Sequence, residues 1–104
     1  MQDKFLSAIG LAKRAGGALF GTELVRDSAK RGTAKLIIVA SDVSENTKKE
    51  ITDTAAFYNT ECILSGYTMA EISQAGGLMR QSSSVAIIDE NLTVLVKNSF
   101  NTKM

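Results

Sequence analysis

The stretch Phe20-Gly21-Thr22-Glu23-Leu24-Val25-Arg26 decides the interpretation of this chain. It predicts the end of a short strand, a glycine corner and the first turn of a helix in which Thr22 is the N-cap. Such a corner presents backbone N–H groups at the positive end of the helix, where phosphate or base oxygens can bind. The same pattern also marks ordinary strand-to-helix turns, so the rest of the chain must decide between these two interpretations.

Helix and strand signals alternate along the whole chain. Apolar periodicity and capping residues predict helices over residues 3–14, 22–31, 44–58 and 68–76, and strands over residues 18–20, 35–40, 61–64 and 83–88. The last segment fits either a helix capped by Asp89 or a strand over residues 93–96. This alternation predicts one α/β domain over residues 1–97, with a mainly parallel four-stranded sheet, followed by a frayed tail over residues 98–104.

The residue inventory argues against an enzyme. The chain has 104 residues, no histidine and a single cysteine, Cys62, inside an apolar run where it is expected to be a small core residue. Neither a nucleophilic triad nor a zinc site can be assembled from such a set, and the carboxylates are scattered. We therefore expect no catalysis, no metal and no cofactor. One cysteine and no membrane-spanning or signal segment lead us to expect a cytoplasmic protein.

Charge is divided unevenly along the chain. Residues 1–35 carry seven Lys or Arg against three Asp or Glu, whereas residues 36–96 carry three against eight. The basic part contains the glycine corner, and positive charge beside a helix N-terminus favours a polyanionic partner. Lys13 and Arg14 belong to this basic part and end the first predicted helix, where they either stabilise the helix dipole or contact RNA.

Two segments, in the same order along the chain as in the family, resemble large-subunit ribosomal protein seven of archaea and eukaryotes. That family binds kink-turn RNA. The two segments are Gly21-Thr22-Glu23 and Lys30-Arg31-Gly32-Thr33-Ala34-Lys35-Leu36, the latter followed by an apolar strand and Ala40-Ser41-Asp42. The segments Gly10-Leu11-Ala12-Lys13-Arg14-Ala15-Gly16 and Ser44-Glu45-Asn46-Thr47-Lys48-Lys49 are closest to its bacterial YlxQ-like branch. The resemblance implies a three-layer α/β/α sandwich that binds kinked RNA without catalysis.

The resemblance also implies that the glycine corner enters the RNA at sheared G·A pairs. Gly21 and Thr22 match the family pattern. Three other positions depart from it, because Glu23, Leu24 and Asp27 stand where the family has Asn, Glu and Lys. The lost positive charge is expected to come from two residues one helical turn apart, Arg26 and Lys30.

A second contact of the family is an apolar loop that packs on a flipped-out nucleotide. The corresponding residues here are Leu78, Met79 and Arg80. A methionine can cover an unstacked base, and an arginine can pair with a phosphate or stack on a base. The alternative for Leu78 is that it packs beneath the edge of the sheet.

These observations predict a monomeric, ribosomal protein-like module whose partner is structured RNA, ribosomal RNA included, with no membrane and no small-molecule substrate. The expected RNA-binding residues are Lys13, Arg14, Gly21, Thr22, Glu23, Arg26, Lys30, Leu78, Met79 and Arg80. The alternative is a protein-interaction module on the same fold that has lost specific RNA binding. A nucleotide-binding enzyme is disfavoured, because neither glycine pair lies in a phosphate-cradling loop.

Overall fold

In the computed structural model, which describes residues 3–101, helices and strands alternate as the sequence predicts. The elements are α1 (Lys4–Arg14), β1 (Ala18–Phe20), α2 (Thr22–Arg31), β2 (Leu36–Val39), α3 (Glu45–Phe57), β3 (Glu61–Leu64), α4 (Met69–Ala75), β4 (Ser84–Ile87) and α5 (Glu90–Asn101). The ambiguous last segment is therefore a helix.

Three helices begin at side-chain caps; the sequence predicts the Thr68 cap and leaves Ser44 and Asn46 as alternatives for α3. Asp3 caps α1 by accepting from the backbone N–H of Phe5 at 2.8 Å, and Ser44 caps α3. Thr68 opens α4 in a capping box with Glu71. Each cap satisfies backbone donors that a helix start leaves without a partner, which explains why these boundaries can be predicted from sequence.

The four strands form one mixed sheet in the order β1-β4-β2-β3. The mixed sheet is confirmed, but the predicted majority of parallel pairs is wrong. Only β2 and β3 pair in parallel, because β4 lies between β1 and β2 and runs antiparallel to both.

The short helix α4 explains the reversed direction of β4. It has seven residues, about 10 Å of helix, and both of its ends stay near the edge of the sheet where β1 and β2 end. The Met69 N–H donates to the Asp42 carboxylate just beyond β2, and Gly76 packs against the ring of Phe20 at the end of β1. The chain therefore enters β4 from that edge and runs antiparallel to β2. A longer helix that crossed the sheet would have returned the chain to the opposite edge, where β2 begins, and β4 would then have been parallel to β2.

Helices cover both faces of the sheet, which confirms the three-layer sandwich. Leu36 and Ile38 of β2 face a core shared with α1, α4 and α5. Ile37 and Val39 face the second core, which is shared with α2 and α3. A continuous apolar run is what a strand buried on both faces requires.

The last helix extends the domain beyond the predicted boundary. α5 continues through Asn101. The ring centroid of Phe100 lies 5.3 Å from that of Phe5, a buried residue of α1. Burial of this ring favours continued helix, so a frayed tail beginning at residue 98 is wrong for residues 98–101. The rest of that predicted tail, residues 102–104, lies outside the described residues.

Candidate nucleic-acid interface

The glycine corner turns the chain from β1 into α2. The Gly21 N–H donates to the carbonyl oxygen of Ser84 at 3.0 Å, which continues the β1–β4 ladder by one residue. Gly21 then adopts φ 104° and ψ 150°, a region open to glycine and strained for other residues. An added Cβ would meet no atom of the described residues within 4 Å, so the outer side of the corner is open to a ligand.

The N-terminus of α2 has backbone donors without a side-chain cap. Gly21 occupies the N-cap position, so the prediction that Thr22 is the cap is wrong. The first N–H that bonds back belongs to Val25, which donates to the Gly21 carbonyl at 2.9 Å. Since no side chain in the described part of the chain caps this end, the N–H groups of residues 22–24 add to its positive potential.

The hydroxyl of Thr22, which lies in the first turn of α2, is engaged with another part of the chain. Its Oγ1 lies 2.7 Å from the Oγ of Ser83, at the start of β4. This hydrogen bond joins the glycine corner to the loop between α4 and β4, residues 76–83. We call this loop the α4–β4 loop.

The α4–β4 loop is held from below by the buried side chain of Ser73. The Ser73 carbonyl accepts from the Leu78 N–H at 2.9 Å, and the Ser73 Oγ accepts from the Ser82 N–H at 2.7 Å. Between these anchors the chain bulges outward, so that Met79 is fully exposed and Arg80 is also in solvent. Leu78 is half-buried at the base of the loop.

The corner and the loop enclose an open groove of about 680 Å³, which we call the corner groove. It brings together five of the residues predicted from sequence: Gly21, Thr22, Leu78, Met79 and Arg80. Its other lining residues are Phe20, Met69, Gln81, Ser82 and Ser83. The described lining thus combines hydroxyls, two thioethers and one guanidinium without a carboxylate, and this combination suits an anionic ligand with an unstacked base.

Three more of the predicted residues line a second hollow, which we call the α2–α3 cleft. Its volume is about 590 Å³, and its lining is Glu23, Arg26, Asp27, Lys30, Asp53, Thr54, Phe57 and Tyr58. Arg26 and Lys30 are exposed one turn apart, as predicted, but they face α3 rather than the corner groove. Arg26 is also held in an ion pair by Glu50 of α3.

The structure does not bring Lys13 and Arg14 into the corner groove. They end α1 before β1 begins, whereas Gly21 follows β1, so the strand separates them from the corner. Arg14 instead lines a hollow between α1 and α4 together with Glu71. Their place in the last turn of α1 agrees with a stabilising interaction with the helix dipole.

Sequence reasoning missed two features of this region. One is the polar wall of the corner groove, which the run Gln81-Ser82-Ser83 signals only once the position of β4 is known. The other is the aromatic pair Phe57-Tyr58 at the end of α3, where Phe57 is 80% exposed. Adjacent aromatic residues at a helix end are a usable signal, because one helix cannot bury both against the same core.

Other parts of the described chain have no reactive arrangement. Cys62 packs against the core beneath α2 and α3, and burial raises the pKa of its thiol, which disfavours the nucleophilic thiolate. Within residues 3–101, no three or more His, Cys, Asp or Glu side chains cluster in a way that could hold a metal ion. The helices over the same residues are too short or too polar to cross a membrane.

Comparisons with known proteins were made against families, sequences and solved structures. The model of the ribosomal protein L7Ae/L30e/S12e/Gadd45 family matches residues 3–96. RNA-binding protein YlxQ of Enterococcus faecium is 39% identical over 80 residues, which cover 77% of each chain. The large ribosomal subunit protein eL8 of Haloquadratum walsbyi is 35% identical over 97 residues, covering 86% of this chain and 74% of that protein.

Two solved structures share the fold. A protein of unknown function from Bacillus halodurans superposes with a TM-score of 0.84 at 24% identity, covering 96% of this chain and 99% of the other. The 15.5kD RNA binding protein of Giardia lamblia superposes with a TM-score of 0.74 at 12% identity, covering 95% and 83%. Both likenesses concern the three-layer architecture.

Proposed function

The chain belongs to the ribosomal protein L7Ae/L30e/S12e/Gadd45 family, in its YlxQ-like bacterial branch, and we propose that it is a non-catalytic RNA-binding protein. The RNA is a folded, kinked one, and it enters the corner groove. The observation that carries this proposal is the junction of the glycine corner with the α4–β4 loop through Thr22 and Ser83. Two loops that are distant in sequence thereby form one surface.

The corner groove fits the backbone of a nucleic acid. The uncapped N-terminus of α2 offers N–H donors on one side, and the Arg80 guanidinium offers a charged donor on the other. Phosphate oxygens accept from both types of donor, and structured RNA is bound largely through such backbone contacts and through shape. Because Gly21 has no side chain, the RNA can approach the backbone at this point closely.

The α4–β4 loop fits an unstacked base. Met79 is fully exposed at the rim, and Leu78 continues the apolar surface toward the base of the groove. A flexible thioether side chain adapts to the face of a nucleobase that has left its helix. This arrangement supports a kinked or bulged RNA as the ligand rather than a regular duplex.

Glu23 is the acidic side chain of the first turn of α2 and is exposed beside the corner. Its ionised carboxylate accepts hydrogen bonds and cannot donate them. It therefore suits the amino group of a guanine. The proposal includes a monomeric, cytoplasmic protein, in keeping with its small size and single cysteine.

A second candidate function is a protein-interaction module on the same fold. It is favoured by Leu24, which is 49% exposed in the first turn of α2, where the resembled family has a glutamate. An exposed leucine beside the corner suits an apolar partner surface better than a phosphate backbone.

Electrophoretic mobility shift titration separates the two functions. The probes are a kinked RNA duplex with tandem sheared G·A pairs and a regular duplex of the same length and composition. We expect tighter binding to the kinked RNA, with affinity that falls as salt rises. Equal, weak binding to both RNAs that disappears with salt contradicts the proposal and favours the protein-interaction module.

A further inference from the structure

The α2–α3 cleft contains an aromatic surface that the fold leaves in solvent. Phe57 is 80% exposed and Tyr58 is 38% exposed, although both are large aromatic side chains. Their ring centroids lie 4.8 Å apart at an interplanar angle of 85°, so the edge of one ring meets the face of the other. Most of the Phe57 ring therefore remains available to a flat partner.

The charges around this ring largely cancel. Three ion pairs account for most of them: Arg31–Asp27 at 3.1 Å, Lys49–Asp53 at 3.3 Å and Arg26–Glu50. Among the described residues that line the cleft, Lys30 and Glu23 are the charged side chains without an ion pair. A nearly neutral cleft does not suit a run of phosphates, but it suits one base on the ring and one phosphate at Lys30.

The cleft and the corner groove both lie along α2. Thr22 lines the groove, and Arg26, four residues further along the helix, lines the cleft. Lys30 lies eight residues beyond Thr22 on the same helix, about 12 Å along its axis. An RNA strand that leaves the corner groove along α2 therefore reaches the aromatic surface.

Resting on the proposed RNA-binding function, we propose that the α2–α3 cleft binds an unpaired nucleotide that flanks the folded RNA. Its base stacks on Phe57, and its phosphate meets the Lys30 ammonium group. Stacking on an aromatic ring tolerates every base, because each base has a π-face. The subsite thus selects RNAs with a single-stranded extension rather than a particular extension sequence.

The experiment measures binding by fluorescence anisotropy with three forms of one kinked RNA duplex. The first is blunt, the second carries four adenosines on one strand, and the third carries four abasic residues in the same place. A second set carries the same extensions on the other strand. We expect the adenosine extension on one strand to tighten binding about five- to tenfold over both other forms.

Phe57→Ala should remove this gain and leave affinity for the blunt RNA unchanged, whereas Phe57→Trp should retain it. Leu64→Ala is the matched control, because Leu64 is an exposed apolar residue on β3 at the far edge of the sheet. The abasic extension keeps its phosphates, so it should bind slightly more tightly than the blunt RNA. Lys30→Gln should remove this smaller gain. Since Phe57 is largely exposed, the variant is expected to fold normally.

The inference is overturned if the wild-type protein binds all three forms equally, both when the extension is on the first strand and when it is on the second. The proposed function is left intact by that result. Loss of binding to every form in Phe57→Ala also overturns it, because the ring would then belong to the main site. Failure of the wild type to bind even the blunt kinked RNA contradicts the proposed function itself. Absence of any gain from an extension, together with a protein that copurifies with the wild type and is lost in Phe57→Ala, assigns the cleft to a protein partner instead.

Discussion

The hydroxyls of Thr22 and Ser83 lie 2.7 Å apart and join two segments that are 61 residues apart in sequence. Through this bond, the corner at the start of α2 and the loop before β4 form the two walls of one groove. Neither wall alone could enclose an unstacked nucleotide. The geometry of the proposed RNA site therefore depends on a hydrogen bond between two small side chains.

Breaking this hydrogen bond should weaken RNA binding more than it weakens the fold. We expect Thr22→Val and Ser83→Ala each to lower the free energy of unfolding by about 0.5–1.5 kcal/mol, the usual value for one hydrogen bond. The two substitutions should be coupled. The double variant should then have the same affinity for kinked RNA as whichever single variant binds it less tightly. Thr52→Val is the control, because the Thr52 hydroxyl donates to backbone carbonyls of Lys48 and Lys49 in its own helix. Fully additive losses of affinity would contradict a shared role.

Arg80 should contribute one phosphate contact. Arg80→Ala is expected to reduce the slope of the logarithm of affinity against the logarithm of salt concentration by about 0.7–0.9, the value for one phosphate. The matched control is Arg31→Ala, which removes an exposed arginine that is paired with Asp27 at the other end of α2. The slopes come from titrations at several salt concentrations. An unchanged slope in Arg80→Ala would remove this residue from the interface.

Phe100 should stabilise the domain although it lies beyond the end predicted from sequence. Phe100→Ala removes a half-buried ring that packs on Phe5. We expect a loss of about 2 kcal/mol in the free energy of unfolding, less than the ~3–5 kcal/mol of a fully buried phenylalanine. Denaturant unfolding measures the loss, with Phe57→Ala as an exposed control. Equal stability of the two variants would mean that the domain ends at residue 97 after all.

Local patterns were sufficient to predict eight of the nine elements in the described part of this fold, all except α5. The capping side chains of Ser44 and Thr68 act within a few residues of their own position, and their helices begin directly after them. The apolar run in β2 likewise identified a strand covered on both faces. These features depend on near neighbours in the chain, so no tertiary information is needed to find them.

Properties set by tertiary structure were harder to predict. The direction of β4 depends on the path of α4, and Gly21 rather than Thr22 takes the N-cap position of α2, while the Thr22 hydroxyl bonds to Ser83. Sequence proximity also grouped Lys13 with Gly21, although β1 carries the chain away from α1 between them. The corner and the α4–β4 loop were nevertheless predicted to act together, because the family resemblance supplies that long-range relationship.

The most direct test of RNA binding at the glycine corner compares two glycines of positive φ. Gly21 and Gly66 both have positive φ, and an added Cβ meets no described atom within 4 Å at either position. Gly21→Ala and Gly66→Ala should therefore both be strained, by about 1–3 kcal/mol each. Only Gly21 lines the corner groove.

The measurement is the dissociation constant of each folded variant for the kinked RNA duplex, with circular dichroism confirming the fold. Our account predicts that Gly21→Ala binds at least about tenfold more weakly than the wild type, a difference of about 1.4 kcal/mol, while Gly66→Ala binds normally. If folded Gly21→Ala binds kinked RNA as tightly as Gly66→Ala, the RNA does not approach the chain at the glycine corner, and the central claim is wrong.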